Sequence, residues 1–190
     1  YSGTVLDSAG GFGIGQTGEY VGDGFRGHIS NFRFVVGSCL RDDGTTFTVP
    51  TSPLTSTGAE TKILTSQSNR FKDNSPTGRD AVPQGTTRVS TFSPFDVSDK
   101  LNTTIYPSAN TGAIYMDGTS FVTIDDQAQD FTFGTEDYTM EAWVYDLSTD
   151  TTQRTIFGRN GTGNLAIPYV YKVPTSEVFS LYYSSGIVSS

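Results

Sequence analysis

The chain has 190 residues, a length that suits one large all-β domain or two partial ones, and its 13 Phe, 10 Tyr and 21 Gly favour strands and turns over helices. Its net charge of −8, with only 12 Lys and Arg scattered along it, excludes the clustered cations that a nucleic-acid partner needs. A single cysteine, Cys39, and a single histidine, His28, exclude a disulfide framework and a zinc constellation, and no apolar run nears the ~18 residues of a membrane-spanning helix. The chain begins at Tyr1 without a basic and apolar leader, so it is expected to be a segment of a longer polypeptide that does not insert into a membrane.

In chain order, alternation of apolar and polar residues predicts short strands over residues 11–15, 25–36, 47–49, 62–66 and 88–92. Turn chemistry separates them at Asp42-Asp43-Gly44, Pro50-Thr51-Ser52-Pro53, Asn74-Ser75-Pro76 and Ser93-Pro94. Residues 96–107 lack alternation and read as a connector. Strands resume over 112–124, and in the run 138–145 the alternation places Tyr138, Met140, Ala142 and Val144 on one face, read as core. Thr139, Glu141, Trp143 and Tyr145 share the other face, where Trp143 is expected to pack under a loop or line a concave surface. On this reading Met140→Asp or Phe34→Asp unfolds the chain, because each buries an unpaired charge.

Several of these runs carry a family signature. Gly24-Phe25-Arg26-Gly27-His28-Ile29-Ser30-Asn31-Phe32-Arg33 resembles "F-x-G-x-I-S-N-F-R", and the stretch from Leu64 through Gln67-Ser68-Asn69-Arg70-Phe71 to Asp73-Asn74-Ser75 resembles "L-L-T-x-Q-S-N-R-F-x-D-N-S". Phe131-Thr132-Phe133-Gly134 with Asp137-Tyr138-Thr139-Met140-Glu141-Ala142-Trp143-Val144 resembles "F-x-F-G-x-x-D-F-T-x-E-A-W-V". These are segments of laminin-G-like, concanavalin-A-like jelly-roll modules, especially those repeated in virion proteins of marine, cyanophage-type bacteriophages. The resemblance implies an all-β jelly-roll β-sandwich of antiparallel sheets. The motifs stand in shifted order, which implies that residues 1–95 are the C-terminal half of one module, 96–107 a connector, and 108–190 the N-terminal half of the next. It further implies a "W-H-x-A" and an "L-Y-V-D-G" strand that this sequence lacks. Each half is therefore expected to complete its sheets with chain outside residues 1–190 or with a neighbouring chain, one permuted sandwich being the other outcome. In function the resemblance implies a non-enzymatic structural and adhesion protein of the virion surface, such as a tail fibre, appendage or capsid-surface component. Its partners would be other virion subunits, neighbouring repeats or host-surface glycans. A bacterial cell-surface or extracellular adhesin and a glycan-cleaving jelly-roll enzyme are the rival readings.

The residues offer little catalytic chemistry. Gly13-Ile14-Gly15-Gln16-Thr17-Gly18 satisfies G-x-G-x-x-G, but no helix follows to receive a pyrophosphate. Glu136, Asp137 and Glu141 lack the spacing of paired glycosidase carboxylates on one strand face, and His28 has no nucleophile near it in sequence. Asn102-Thr103-Thr104 and Asn160-Gly161-Thr162 match a glycosylation sequon that matters only in a glycosylating compartment. No cofactor is called for except calcium, for which Asp125, Asp126 and Asp130, near Asp117, form the densest set of hard oxygen ligands. If they hold calcium, EDTA lowers the melting temperature, because a ligand bound only to the native state stabilises it by mass action, and Asp125→Asn abolishes that response. Identical melting of both proteins with and without EDTA removes the calcium reading.

Overall fold

The longest alternating run of the sequence becomes the longest strand, and a three-residue step in its pattern becomes a bulge. In the computed structural model, which describes residues 11–16, 23–40, 48–95, 112–125, 131, 136–159, 168–174, 176, 178–183 and 186–189, strand β2 spans Arg26–Val36. Ile29, Phe32, Phe34 and Val36 all face the core, although Ile29 and Phe32 are three residues apart. The extra residue is absorbed where the register with the neighbouring strand shifts between Ser30 and Arg33, and Asn31 takes a φ of 52° there. Asn tolerates this left-handed conformation because its short side chain bonds locally.

The other strands are β1 (Phe12–Ile14), β3 (Thr61–Thr65), β4 (Ala81–Gln84), β5 (Arg88–Ser90), β6 (Ala113–Asp117), β7 (Phe121–Ile124), β8 (Tyr138–Asp146), β9 (Arg154–Arg159), β10 (Tyr169–Lys172), β11 (Phe179–Tyr183) and β12 (Gly186–Ser189). They form two antiparallel sheets packed face to face, a β-sandwich, built from strands as the composition and alternation predict. The larger sheet has the order β12-β11-β10-β9-β1-β7-β4. In the smaller, β2 pairs along its length with β8 on one side, while β6 (opposite Arg26 to Ile29) and β3 (opposite Phe32 to Val35) follow each other along its other side. No helix is present among the described residues, so none there could cross a membrane. Residues 48–50, at the end of the predicted 47–49 strand, form none.

The core between the layers is aromatic. Phe12 lies at its centre, with ring centroids 5.4 Å from Phe32, 5.5 Å from Phe34, 5.8 Å from Phe131 and 6.4 Å from Phe157. Ile114, Met116, Val122 and Ile124 close the cluster.

This arrangement corrects the expected division at the connector. β1, from the first half, lies between β7 and β9 of the second, and β2 lies between β8 and β6. Phe12 and Phe34 share one core with Ile114, Val122 and Phe157, so the strands of 1–95 and 108–190 build one sandwich instead of two separate ones. The physical reason is that a three-residue strand such as β1 is stable only when flanked on both sides, and the flanking strands come from beyond residue 112. The connector itself, 96–107, lies outside the described residues.

The core reading of β8 holds with a difference of degree. Tyr138, Met140, Ala142 and Val144 pack against the core but remain half-buried, whereas Phe34 is fully enclosed. Phe34→Asp is therefore expected to unfold the chain, a loss of about 4 kcal/mol or more. Met140→Asp should retain a cooperative urea transition at a lower midpoint, and loss of folding in both variants would show that β8 is as enclosed as β2.

Candidate functional site

The polar residues of the signature motifs meet in the structure, and they act as fasteners. Asn31 at the bulge donates its backbone N–H to the Ser66 carbonyl (2.9 Å). Its side-chain oxygen accepts from the Leu54 N–H (3.1 Å) and from Gln67 Nε2 (2.9 Å), and its amide nitrogen donates to Ser30 Oγ (3.0 Å). Ser30 Oγ in turn donates to the Gly112 carbonyl, and Gln67 Nε2 also donates to the Leu54 carbonyl (2.7 Å). Asp73 accepts four bonds, from the N–H groups of Leu64, Ser75 and Arg79 and from Ser75 Oγ, at 2.6–3.0 Å. Such networks stay buried at low cost only when each member is satisfied.

The acidic candidates are likewise engaged or scattered. Glu141 accepts from Nε and Nη2 of Arg33, whose Nη1 donates to the Thr55 carbonyl (2.7 Å). Glu136 and Asp137 are exposed ahead of β8, and the Asp137 backbone carbonyl accepts from the Gly37 N–H. Asp125 is exposed at the end of β7, with its carbonyl bonded by Arg79 Nη1 (3.1 Å); Asp126 and Asp130 lie outside the described residues. Burial opposes ionisation of Asp117, yet bonds from the hydroxyls of Ser120, Thr86 and Thr119 and from backbone N–H groups outweigh it and hold the carboxyl far below the usual range. No group of three His, Cys, Asp or Glu suited to a metal ion occurs among the described residues. Gly13 and Gly15 lie in and just after β1 with no helix following in the described residues, and both sequons lie outside them.

What the sequence did not reveal is a row assembled across four strands. Tyr145 of β8 pairs with His28 of β2, His28 with Tyr115 of β6, and Tyr115 with Arg88 of β5, all on the face of the smaller sheet opposite to the core. The His28 ring centroid is 5.3 Å from that of Tyr115 and 6.4 Å from that of Tyr145, and the Arg88 guanidinium lies 4.3 Å from the Tyr115 centroid. Phe92, from the segment after β5, stacks on His28 at 4.8 Å and meets Tyr145 at 5.1 Å. Phe92 is 41% exposed and Tyr145 52%. Beside them Ser30, Phe92, Pro94 and Trp143 line a hollow of about 160 Å³. Trp143 meets both of its expectations, half-buried against Phe95 (5.6 Å) and facing the hollow.

Gly27 lets this row form. With a φ of 151°, it has no room for a Cβ, which would meet the carbonyl oxygen of Tyr145. The exposed Arg88 has no carboxylate partner among the described residues, and His28 Nδ1 is buried without a hydrogen-bond partner. The face therefore offers aromatic surface, the Arg88 guanidinium over the Tyr115 ring and, among the described residues, a His28 ring nitrogen without a hydrogen-bond partner. Comparison of the chain with protein-family models, curated proteins and solved structures found no match.

Burial, and then the charge of Arg88, lower the His28 pKa from 6.5. The unfolded chain therefore takes up its proton first as pH falls, so the stability that neutral His28 supports is complete above pH 6.5 and is lost as pH drops from there through the folded value. Urea midpoints should fall more between pH 7.5 and 5 in the native protein than in His28→Gln, and parallel declines in the two would place His28 in open solvent.

Proposed function

We propose that this chain is a non-catalytic structural and adhesion module whose smaller sheet presents an aromatic face to glycans. The observation that carries the reading is the in-register row Tyr145, His28, Tyr115 and Arg88, with Phe92 stacked on it and two of its rings well exposed. Aromatic rings present a flat, electron-rich surface to the C–H faces of a pyranose, while the rim supplies hydrogen-bonding groups for its hydroxyls. Exposed aromatic patches of this kind mark interaction sites on soluble proteins.

A binding role is favoured over hydrolysis by how the carboxylates are used. A retaining glycosidase holds two carboxyl groups ~5 Å apart on its substrate face. Here Glu141 is committed to Arg33, and Asp117 to a turn of hydroxyl and backbone donors. The motif resemblance supports a laminin-G-like jelly-roll on a virion surface, with other subunits or neighbouring repeats beside it.

On a glycan array the protein should retain a defined subset of saccharides. Tyr145→Ala and Phe92→Ala should each weaken that binding about tenfold, roughly 1.4 kcal/mol, while the loss of their mutual ring contact lowers the urea midpoint only modestly and leaves the transition cooperative. Absence of glycan binding by the native protein, or binding unaltered in both variants, overturns the reading.

A further inference from the structure

Charge is unevenly placed on this chain. The whole sequence carries 20 Asp and Glu against 12 Lys and Arg. Among the described residues, however, the strand positions of the smaller sheet that point away from the core hold Arg26, Arg33, Lys62 and Arg88 against only Asp117 and Glu141. Arg33 is bound to Glu141, and Lys62 Nζ donates to the Ala59 carbonyl (3.1 Å). Arg26 and Arg88 are exposed, and neither forms an ion pair among the described residues.

The carboxylate that stands opposite Arg26 is engaged elsewhere. Asp117 accepts from the hydroxyls of Thr86, Thr119 and Ser120 and from the N–H groups of Thr119 and Ser120, which hold it toward the turn between β6 and β7. From strand spacing and rise, the Cα atoms of Arg26 and Arg88 are ~12 Å apart, with Tyr115 on the strand between them. Arg88 is also pre-arranged, because its guanidinium lies over the Tyr115 ring. A guanidinium so placed keeps its N–H groups free at its edge, and a planar fork already held in position loses little freedom when it takes a planar carboxylate by two parallel bonds.

We propose that the aromatic face takes an acidic oligosaccharide laid along the row from Tyr145 to Arg88, with the carboxylate of a uronic acid held by Arg88. This rests on the reading of the face as a glycan site and names the class of sugar it selects. The row is ~14 Å long, so the rings of several sugars find aromatic surface while one carboxylate reaches its end at β5. An exposed ion pair contributes little by itself, so stacking supplies the affinity and Arg88 the choice among sugars. The net charge of −8 opposes an anion at a distance, but at physiological ionic strength that repulsion is screened beyond ~8 Å, and at contact the arginines decide. A carboxylate suits the site better than a sulfate because its two coplanar oxygens match a single fork.

The test is calorimetry of the full chain with homo-oligomers of glucuronic, mannuronic and galacturonic acid, each beside its carboxyl-reduced form, which keeps the rings and loses the charge. At least one acid should bind tenfold or more tightly than its reduced form, and the preference should collapse at ~1 M salt, where the Debye length is ~3 Å. Arg88→Gln should bring the acid down to the affinity of the reduced form and leave the latter unchanged, Arg26→Gln should lose a smaller part of the preference, and Tyr145→Ala should weaken both forms alike. Equal affinity for acid and reduced form, a preference that survives Arg88→Gln, tighter binding of a sulfated oligomer on the same backbone, or no binding of any acid at millimolar concentration each overturns the inference. Neutral saccharides retained on the array in those cases would leave the glycan face itself standing, whereas an empty array removes both.

Discussion

The smaller sheet depends on the bulge at Ser30 and Asn31. β2 is the strand to which β3, β6 and β8 all pair, and it can serve both halves of one edge only because its register and twist change midway. Without the extra residue, Ile29 and Phe32 would point to opposite faces, and one end of the strand's apolar face would turn to solvent. The bulge leaves backbone and side-chain groups that need partners inside the protein. The Asn31, Gln67 and Leu54 contacts supply them, and in doing so they pin the 66–67 turn and the segment around residue 54 to the middle of the sheet.

The motifs that look most distinctive are therefore distinctive for packing. Ser30, Asn31, Arg33, Gln67, Asp73 and Glu141 come from three separated runs; Asp73 closes its own run, and the others are spent on holding another segment in place. A polar residue inside a strand pattern is conspicuous because burying it demands specific partners. The glycan-binding face proposed for this chain is built instead from residues that break no local rule.

That contrast explains what was legible. β2, β3, β6, β7 and β8 announced themselves by alternation, and the three-residue step from Ile29 to Phe32 already marks the bulge. β4 went unseen because Pro83 interrupts it, which a sheet tolerates at an edge, and β4 is the last strand of the larger sheet. β9 to β12 follow the recognisable run around Trp143 and carry weaker patterns of their own. The aromatic row was hidden for another reason: Tyr145, His28, Tyr115 and Arg88 are neighbours only through three strand registers, and register is a property of the folded sheet. The calcium candidates show the converse, an acidic density plain in sequence whose described members, Asp117 and Asp125, are occupied or apart.

The pairing of β2 with β8 also has a consequence in time. Arg33 waits for Glu141, 108 residues later in the chain, and β1 waits longer still for β9. At typical synthesis rates that interval is roughly 5 to 20 s, during which the longest of the described strands has left the ribosome without its principal neighbour. Closure of such distant pairings is slow even for a complete chain. Nascent copies made side by side on one message would expose the same eleven-residue strand to one another, so the order of strands along this chain makes its assembly sensitive to crowding of ribosomes and to whatever shields β2 until β8 arrives.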